Sequence, residues 1–258
     1  MKIYYFIILM VLNSFCLVGQ SSKSVISRVT VSESNDDNSS QEYVFQYKGK
    51  VLQRIINGSD LALDYYYSSD GKLNGIVKLS LQNEEDTLSK IQFVYNKEAK
   101  PQQTFIYTYH DGKLDQTQKI VNIYDQSQVL IKQNLYSKED KIFVKTQDYT
   151  LSYDASHNVE SCRMKEYNAK GKITSHQKFK YKYDKNPYLM LINPIIVLDT
   201  YFRPSLSTNQ VTEIKIERSS PSGKVQDIET IKFDYIYDAK KNLTEINNSR
   251  NLLIQIKY

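Results

Sequence analysis

The sequence predicts an all-β protein: an antiparallel meander of Tyr-ended hairpins forming a curved sheet or an open or closed barrel. Three observations carry this. A short unit ending in tyrosine recurs along the chain, apolar residues alternate with polar ones at period two, and polar turns punctuate the alternation every 12 to 20 residues or so.

The unit reads aromatic-x-Tyr, then a polar turn, then Lys or Asn and an aliphatic residue that opens the next strand. Its copies include Phe45-Gln46-Tyr47 before Lys48-Gly49-Lys50-Val51, and Tyr65-Tyr66-Tyr67 before Ser68-Ser69-Asp70-Gly71-Lys72-Leu73. Tyr107-Thr108-Tyr109 precedes His110-Asp111-Gly112-Lys113-Leu114, and Tyr235-Ile236-Tyr237 precedes Asp238 to Leu243. Further copies end at Tyr153 and Tyr167, and weaker ones at Tyr95, Tyr124, Tyr136 and Tyr183. Successive strand residues point to opposite faces, so the two aromatics of each unit share a face. Asp, Asn and Gly then accept the backbone angles of a tight turn. In 173–183, Ile173, Phe179, Tyr181 and Tyr183 fall on one face and Thr174, His176, Lys178, Lys180 and Lys182 on the other.

Residues 1–19 read as a secretory signal peptide, with a cationic start, an apolar run and a cut after Gly19. Lipidation at Cys16 and an uncleaved membrane anchor are the alternatives, and they leave the chain exported but attached. Residues 20–41 are expected to hold a first strand around Val25, Val29 and Val31 and then a polar loop over Ser32 to Gln41. Residues 42–258 form a single β-repeat domain. After removal of the signal only Cys162 remains, so the fold relies on packing and strand pairing without an internal disulfide. Cys162 is expected to face the core.

Composition narrows the function classes. The 258 residues hold 22 Tyr and 9 Phe but no Trp, and the net charge of +5 comes from lysines scattered along the whole length. Scattered lysine is a solvated face, so nucleic acid is not expected as a partner. His110, His157 and His176 lie far apart, and no His or Cys pair has metal-ligand spacing. Asp70, Asp111, Asp154, Asp184 and Asp238 lack the dense spacing of a calcium loop and are read as turn caps. No catalytic residue, metal or cofactor is predicted.

Two groups of residues are candidates for binding. Tyr65, Tyr66, Tyr67, Tyr107 and Tyr109 offer flat rings with polar tips, suited to stacking on a ligand or to cross-strand packing. The insert over 184–211 breaks the alternation, contains Pro187, Pro194 and Pro204, and is the most apolar stretch after the signal. It reads either as a plug for the sheet or as a docking element for a membrane or partner, through Leu189, Met190, Ile195, Ile196, Tyr201 and Phe202.

The Tyr-Asp turns resemble YD/RHS-type repeats over residues 42 to 258, although RHS shells are far longer. Tyr181-x-Tyr183-Asp184-Lys185-Asn186-Pro187, its apolar insert, Val211-Thr212-Glu213-Ile214 and Tyr235-x-Tyr237-Asp238 resemble a family of exported Gram-negative envelope proteins of unknown function. That resemblance implies a porin-like β fold and supplies no activity. The expected function is a non-catalytic secreted or periplasmic envelope module that binds a glycan, a lipid or an envelope protein. An outer-membrane β-barrel or lipid shuttle is the alternative, favoured by the alternating aliphatics before the terminal Tyr258 and opposed by charges in mid-strand at Arg163 and Lys165.

Overall fold

A computed structural model describes residues 26–33, 36–82, 86–110, 113–187 and 207–258. The signal segment, Val25, Asp111 and the insert residues Leu189, Met190, Ile195, Ile196, Tyr201 and Phe202 lie outside the described residues. Those described form sixteen antiparallel strands. They are β1 (Arg28–Glu33), β2 (Asp36–Lys48), β3 (Val51–Asn57), β4 (Leu61–Tyr67), β5 (Leu73–Ser80) and β6 (Thr87–Tyr95). β7 (Pro101–His110), β8 (Lys113–Tyr124), β9 (Leu130–Glu139), β10 (Ile142–Tyr153) and β11 (Val159–Tyr167) follow. β12 (Ile173–Pro187), β13 (Asn209–Ser219), β14 (Val225–Tyr237), β15 (Leu243–Asn248) and β16 (Leu252–Lys257) complete the set.

Each strand pairs with its neighbours in chain order, and β1 also pairs with β16, so the ladder closes into a barrel. Closure removes the unpaired edges that an open sheet would expose. By density of contacts the ladder falls into two compact units. One gathers Asn96–Gln102 and Ile120–Lys232; the other gathers the described residues up to Tyr95, with Gln103–Lys119 and Phe233–Tyr258.

Seven turns repeat one hydrogen-bond pattern. They start at Ser68, Asn96, Asp125, Asp154, Asn168, Ser220 and Asp238. In each, the N–H of the first residue donates to the carbonyl of the fifth, and the N–H of the fourth donates back to the first. The fourth residue adopts positive φ: Gly71, Ala99, Gln128, His157, Gly171, Gly223 and Lys241. This is the four-residue hairpin loop built on a tight turn with a left-handed closing residue. The first side chain completes it. Oδ1 of Asp154 accepts from the N–H of Ser156 (2.8 Å) and Asn158 (2.9 Å), and Asn96, Asn168 and Asp238 repeat the pair.

A bulge follows the turn. Tyr153 pairs with Val159 but Ser152 pairs with Ser161, leaving Glu160 as an extra residue. The same step leaves out Asn74, Thr174, Gln226 and Thr244 after their turns. Across the long insert it recurs, with Tyr183 opposite Val211, Lys182 opposite Glu213 and Thr212 left over. Bulges bend a strand and raise its twist, which curls the ladder towards closure.

Strict alternation would place Val159 on one face with Ser161, Arg163 and Lys165, and the bulge corrects that expectation. Val159 is fully buried and does not share a face with Ser161, Arg163 and Lys165, because Glu160 takes up one residue of the period. Cys162 and Met164 are buried on the other face, as expected for Cys162, and Glu160 is exposed. In the unit that contains them, the buried face carries Tyr149, Leu151, Cys162, Phe179, Tyr181, Ile214, Ile216 and Ile231. In the other unit it carries Phe45, Ile55, Tyr65, Ile76, Phe93, Phe233, Ile254 and Ile256. Burying each such side chain contributes about 1.5–3 kcal/mol.

Three boundaries differ from expectation. The polar segment read as a loop over Ser32 to Gln41 belongs largely to strands, with β2 beginning at Asp36 and Gln41 pairing with Val31. Ladder pairing satisfies this backbone whatever its side chains. β12 runs through Pro187 and β13 starts at Asn209, so the insert is shorter than 184–211. His110 closes β7 and does not lie in the turn after it.

Two positions, one in a turn and one inside β5, test the backbone geometry. Ala99 sits at φ 59° with only a methyl group to lose, so Ala99→Gly relieves a left-handed strain of about 1–2 kcal/mol while giving up roughly 0.4–1 kcal/mol of chain entropy. Urea unfolding is expected to show a gain, where Ala→Gly in a strand normally shows a loss. Gly75 has the opposite dependence. A Cβ there would lie 2.7 Å from the carbonyl oxygen of Ile91, so Gly75→Ala is expected to lower stability by about 1–3 kcal/mol.

Candidate functional site: the tyrosine-ended edge

Every even-numbered strand carries a tyrosine at or near its C-terminal end: Tyr47, Tyr67, Tyr95, Tyr124, Tyr153, Tyr183, Tyr237 and, just past β16, Tyr258. Because the pairing is antiparallel and in chain order, Tyr124, Tyr153 and Tyr183 lie along one edge of the first unit, and Tyr47, Tyr67, Tyr95, Tyr237 and Tyr258 along one edge of the other. Five of the phenols donate to a backbone carbonyl of the neighbouring strand. Tyr124 reaches Pro101 (2.8 Å), Tyr153 reaches Leu130 (2.8 Å) and Tyr183 reaches Val159 (2.8 Å) in one unit. Tyr95 reaches Leu73 (2.5 Å) and Tyr258 reaches Leu243 (3.1 Å) in the other. Each acceptor is the residue immediately after the preceding turn, and at Leu73, Val159 and Leu243 the strand opens next to a bulge. A buried carbonyl in a broken stretch of ladder needs a donor, and the next tyrosine along the edge supplies it.

At Val159 the arrangement also fastens the return of the insert. Ser207 Oγ accepts from the Val159 N–H (2.9 Å) and donates to the Tyr183 hydroxyl (2.8 Å). Asn158 Oδ1 accepts from the N–H of Thr208 (3.1 Å) and Asn209 (2.9 Å), and the Thr208 hydroxyl donates to the Ser156 carbonyl (2.7 Å).

The candidate stacking residues separate. Tyr65 is buried at 3% exposure, Tyr67 is half-buried on the same face, and Tyr66 is 51% exposed on the opposite face. Tyr107 is half-buried and Tyr109 is 49% exposed on β7. Tyr65 and Tyr67 join Tyr47 and Tyr95, which come from other hairpins and were not among the candidate stacking residues. Burial first, and then the proximity of Tyr67, pushes the Tyr47 hydroxyl up to about 12. Tyr95 is also pushed up to about 12, by burial and then by Asp70 and Tyr67. Tyr65 is raised further by burial and by both neighbouring phenols. These groups stay protonated at neutral pH; of the three only Tyr95 donates a hydrogen bond, while the Tyr47 and Tyr65 hydroxyls are buried without a hydrogen-bond partner among the described residues.

Of the acidic residues read as turn caps, Asp154, Asp184 and Asp238 accept from the backbone N–H groups that follow them. The N–H and side chain of Asn242 hold the Asp238 carboxyl below its ordinary range. At Asp154 burial opposes ionisation, but the N–H and side chain of Asn158 outweigh it. Asp184 accepts from the N–H of Asn186 (2.8 Å). His157 occupies a turn, and His176 lies on β12 with a ring nitrogen 3.3 Å from the Pro221 carbonyl. Among the described residues no group of three or more His, Cys, Asp or Glu is placed to hold a metal ion.

A separate polar cluster, invisible in the sequence, sits on β10 and β11. Asp148 accepts from Lys145 Nζ (2.7 Å) and the Tyr167 hydroxyl (2.6 Å), and the Lys145 ammonium stands 4.9 Å from the Tyr167 ring centroid. Desolvation opposes the charge on Asp148, but these two donors hold its carboxyl below the usual range.

No family model and no curated protein matches the chain. Solved structures do. A porin-like protein from Bacteroides vulgatus superposes with a TM-score of 0.59 at 13% identity, over 90% of this chain and 98% of that one. A porin-like protein from Bacteroides uniformis gives 0.53 at 11% identity, over 90% and 96%. The fold is a porin-like β-barrel. At these identities the likeness concerns fold alone.

The tyrosine edge predicts alkaline sensitivity. A phenol whose pKa is raised on folding contributes stability that is complete below the unfolded value of 10 and is lost as pH rises through the folded value of about 12. Urea midpoints are therefore expected to fall between about pH 10 and 12, and the fall should be shallower in Tyr47→Phe. The clamp is tested at neutral pH. Tyr153→Phe leaves the Leu130 carbonyl without its donor and is expected to cost about 1 kcal/mol, against no change for Tyr66→Phe.

Proposed function

We propose that the protein is an exported, non-catalytic envelope module, a closed β ladder that stands in water and offers surfaces for binding. The observation that carries this reading is the character of the face opposite the core. Along β11 and β12 it bears Arg163, Lys165, Lys180 and Lys182, all exposed and in mid-strand. In the other unit it bears the Arg54–Asp64 pair, with guanidinium and carboxylate 2.5 Å apart. A barrel crossing a bilayer presents an apolar band to lipid, and each Arg or Lys at the midplane costs about 2–4 kcal/mol. Most large apolar side chains here lie instead on the packed face, with Val94, Ile123, Ile131, Val225, Ile228 and Ile236 among the exposed exceptions.

The non-catalytic part of the proposal rests on how the tyrosines are used. Five phenols of the edge are spent on backbone carbonyls, and the raised pKa of Tyr47, Tyr65 and Tyr95 removes them as bases near neutrality. Tyr66 and Tyr109, exposed on the ladder, are the tyrosines available to stack on a glycan or a peptide. A second reading, an outer-membrane barrel or lipid shuttle, is supported by the similarity to two porin-like proteins and by strands of up to 15 residues.

Fractionation of a Gram-negative host expressing the full chain separates the readings. The protein is expected without detergent, in soluble material or released from membranes by salt, with a mature N-terminus at Gln20. A species that needs detergent for extraction and changes mobility on heating would overturn the proposal in favour of the membrane barrel.

A further inference from the structure

The water-facing side of β11 to β14 is a lattice of positive charge. Register places Lys165 opposite His176, His176 opposite Ser219 and Ser219 opposite Val225. The next row is Arg163, Lys178, Glu217 and Ile228, and the next is Ser161, Lys180, Lys215 and Thr230. The last is Lys182, Glu213 and Lys232. Seven cations thus share the lattice with two carboxylates, an excess as large as the net charge of +5 on the whole chain. Glu213 is engaged by Lys182 (2.8 Å), and Glu217 lies 3.7 Å from Lys215. Arg163, Lys165, Lys178 and Lys180 form no ion pair among the described residues. On the adjoining strand Asp148, which faces Lys165, already takes its donors from Lys145 and Tyr167. Glu160, the unpaired bulge residue, stands at the border.

This arrangement works against the fold. Arg163 lies directly opposite Lys178, and Lys180 directly opposite Lys215. Strands are about 4.8 Å apart and same-face residues about 7 Å apart, inside a screening length of roughly 8 Å, so the charges repel. Like charges directly opposed destabilise a sheet. Two exposed aliphatic residues complete the face: Val225 at 48% and Ile228 at 53% exposure, ending the first two rows. Cations alone suit any polyanion. Cations beside protruding aliphatics suit a surface that is anionic outside and apolar just beneath.

We infer that this face docks the protein, peripherally, on an anionic lipid surface, with the lysines on lipid phosphates and Val225 and Ile228 entering the headgroup layer. The inference goes beyond the envelope reading and is compatible with it, since such docking is released by salt and leaves the strands outside the bilayer.

Flotation or sedimentation with vesicles tests it, using phosphatidylcholine with and without phosphatidylglycerol. The full chain is expected to bind only the anionic vesicles and to leave them as salt rises. Lys178→Glu with Lys180→Glu is expected to weaken vesicle binding by about tenfold or more. The same variant should unfold at about the same urea, because the new carboxylates face Arg163 and Lys215 while the one at 178 also faces Glu217. Lys48→Glu with Lys50→Glu, equal in charge but exposed elsewhere, should bind nearly as the parent does. Val225→Ser with Ile228→Ser should lower vesicle binding while leaving retention on heparin unchanged. Failure of the parent chain to bind anionic vesicles, equal binding by the Lys178→Glu/Lys180→Glu variant, or retention on heparin without vesicle binding would each overturn the lipid assignment, the last in favour of an acidic polymer. None of these outcomes touches the envelope reading, which fails only if the chain needs detergent to leave the membrane.

Discussion

The hydrogen bond from a strand-end phenol to the carbonyl that opens the adjacent strand is the contact on which the ladder's order depends. Five of the seven turns are followed by one residue too many, and an extra residue leaves a local break in pairing. Unless something holds the break in one place, a slip of one residue would send every following side chain to the wrong face. Tyr183 on Val159 marks that place in one unit; Tyr95 on Leu73 and Tyr258 on Leu243 do so in the other. The ring of the same tyrosine packs on the sheet, so one side chain supplies both apolar area and the polar tip that fixes register.

One-sidedness follows from that register. With the bulges held, Cys162, Phe179, Ile214 and Ile231 fall on one face and Arg163, Lys180 and Lys232 on the other. The turns make the same bargain with strain: left-handed backbone at Gln128, His157 and Lys241 is held by hydrogen bonds across the loop and, where present, by the Asp at its start. A face rich in unpaired lysine costs stability too. That cost is what separates the lattice on β11 to β14 from an ordinary solvated surface.

Much of this was legible in the residues. The aromatic-x-Tyr units, their Asp, Asn and Gly turns, and the period-two alternation predict hairpins in chain order, and the sixteen strands follow that plan. The bulge was not legible, because one extra residue in a strand looks the same in sequence as a change of face. Hence Val159 reads as a neighbour of Arg163 when it belongs to the core. The segment from Asp36 to Gln41 has no apolar signal, so its strand pairing with β1 could not be read either. Tyr65 and Tyr67 were found by their repeat, but their partners Tyr47 and Tyr95 come from other hairpins, and only the fold brings them together. The basic lattice was half visible: the row from Lys178 to Lys182 stands out in β12, while Arg163, Lys215 and Lys232 join it through register.

Single-cysteine labelling along β11 tests the bulge most directly. With both native cysteines replaced by serine, cysteine is placed in turn at positions 159 to 165 and exposed to a water-soluble maleimide. The account predicts rapid labelling at 160, 161, 163 and 165 and protection at 159, 162 and 164, a pattern that breaks alternation at Glu160. Strict alternation, with 159 labelling alongside 161, 163 and 165 and 160 protected, would contradict it and remove the basis for the bulge and for the clamp at Val159.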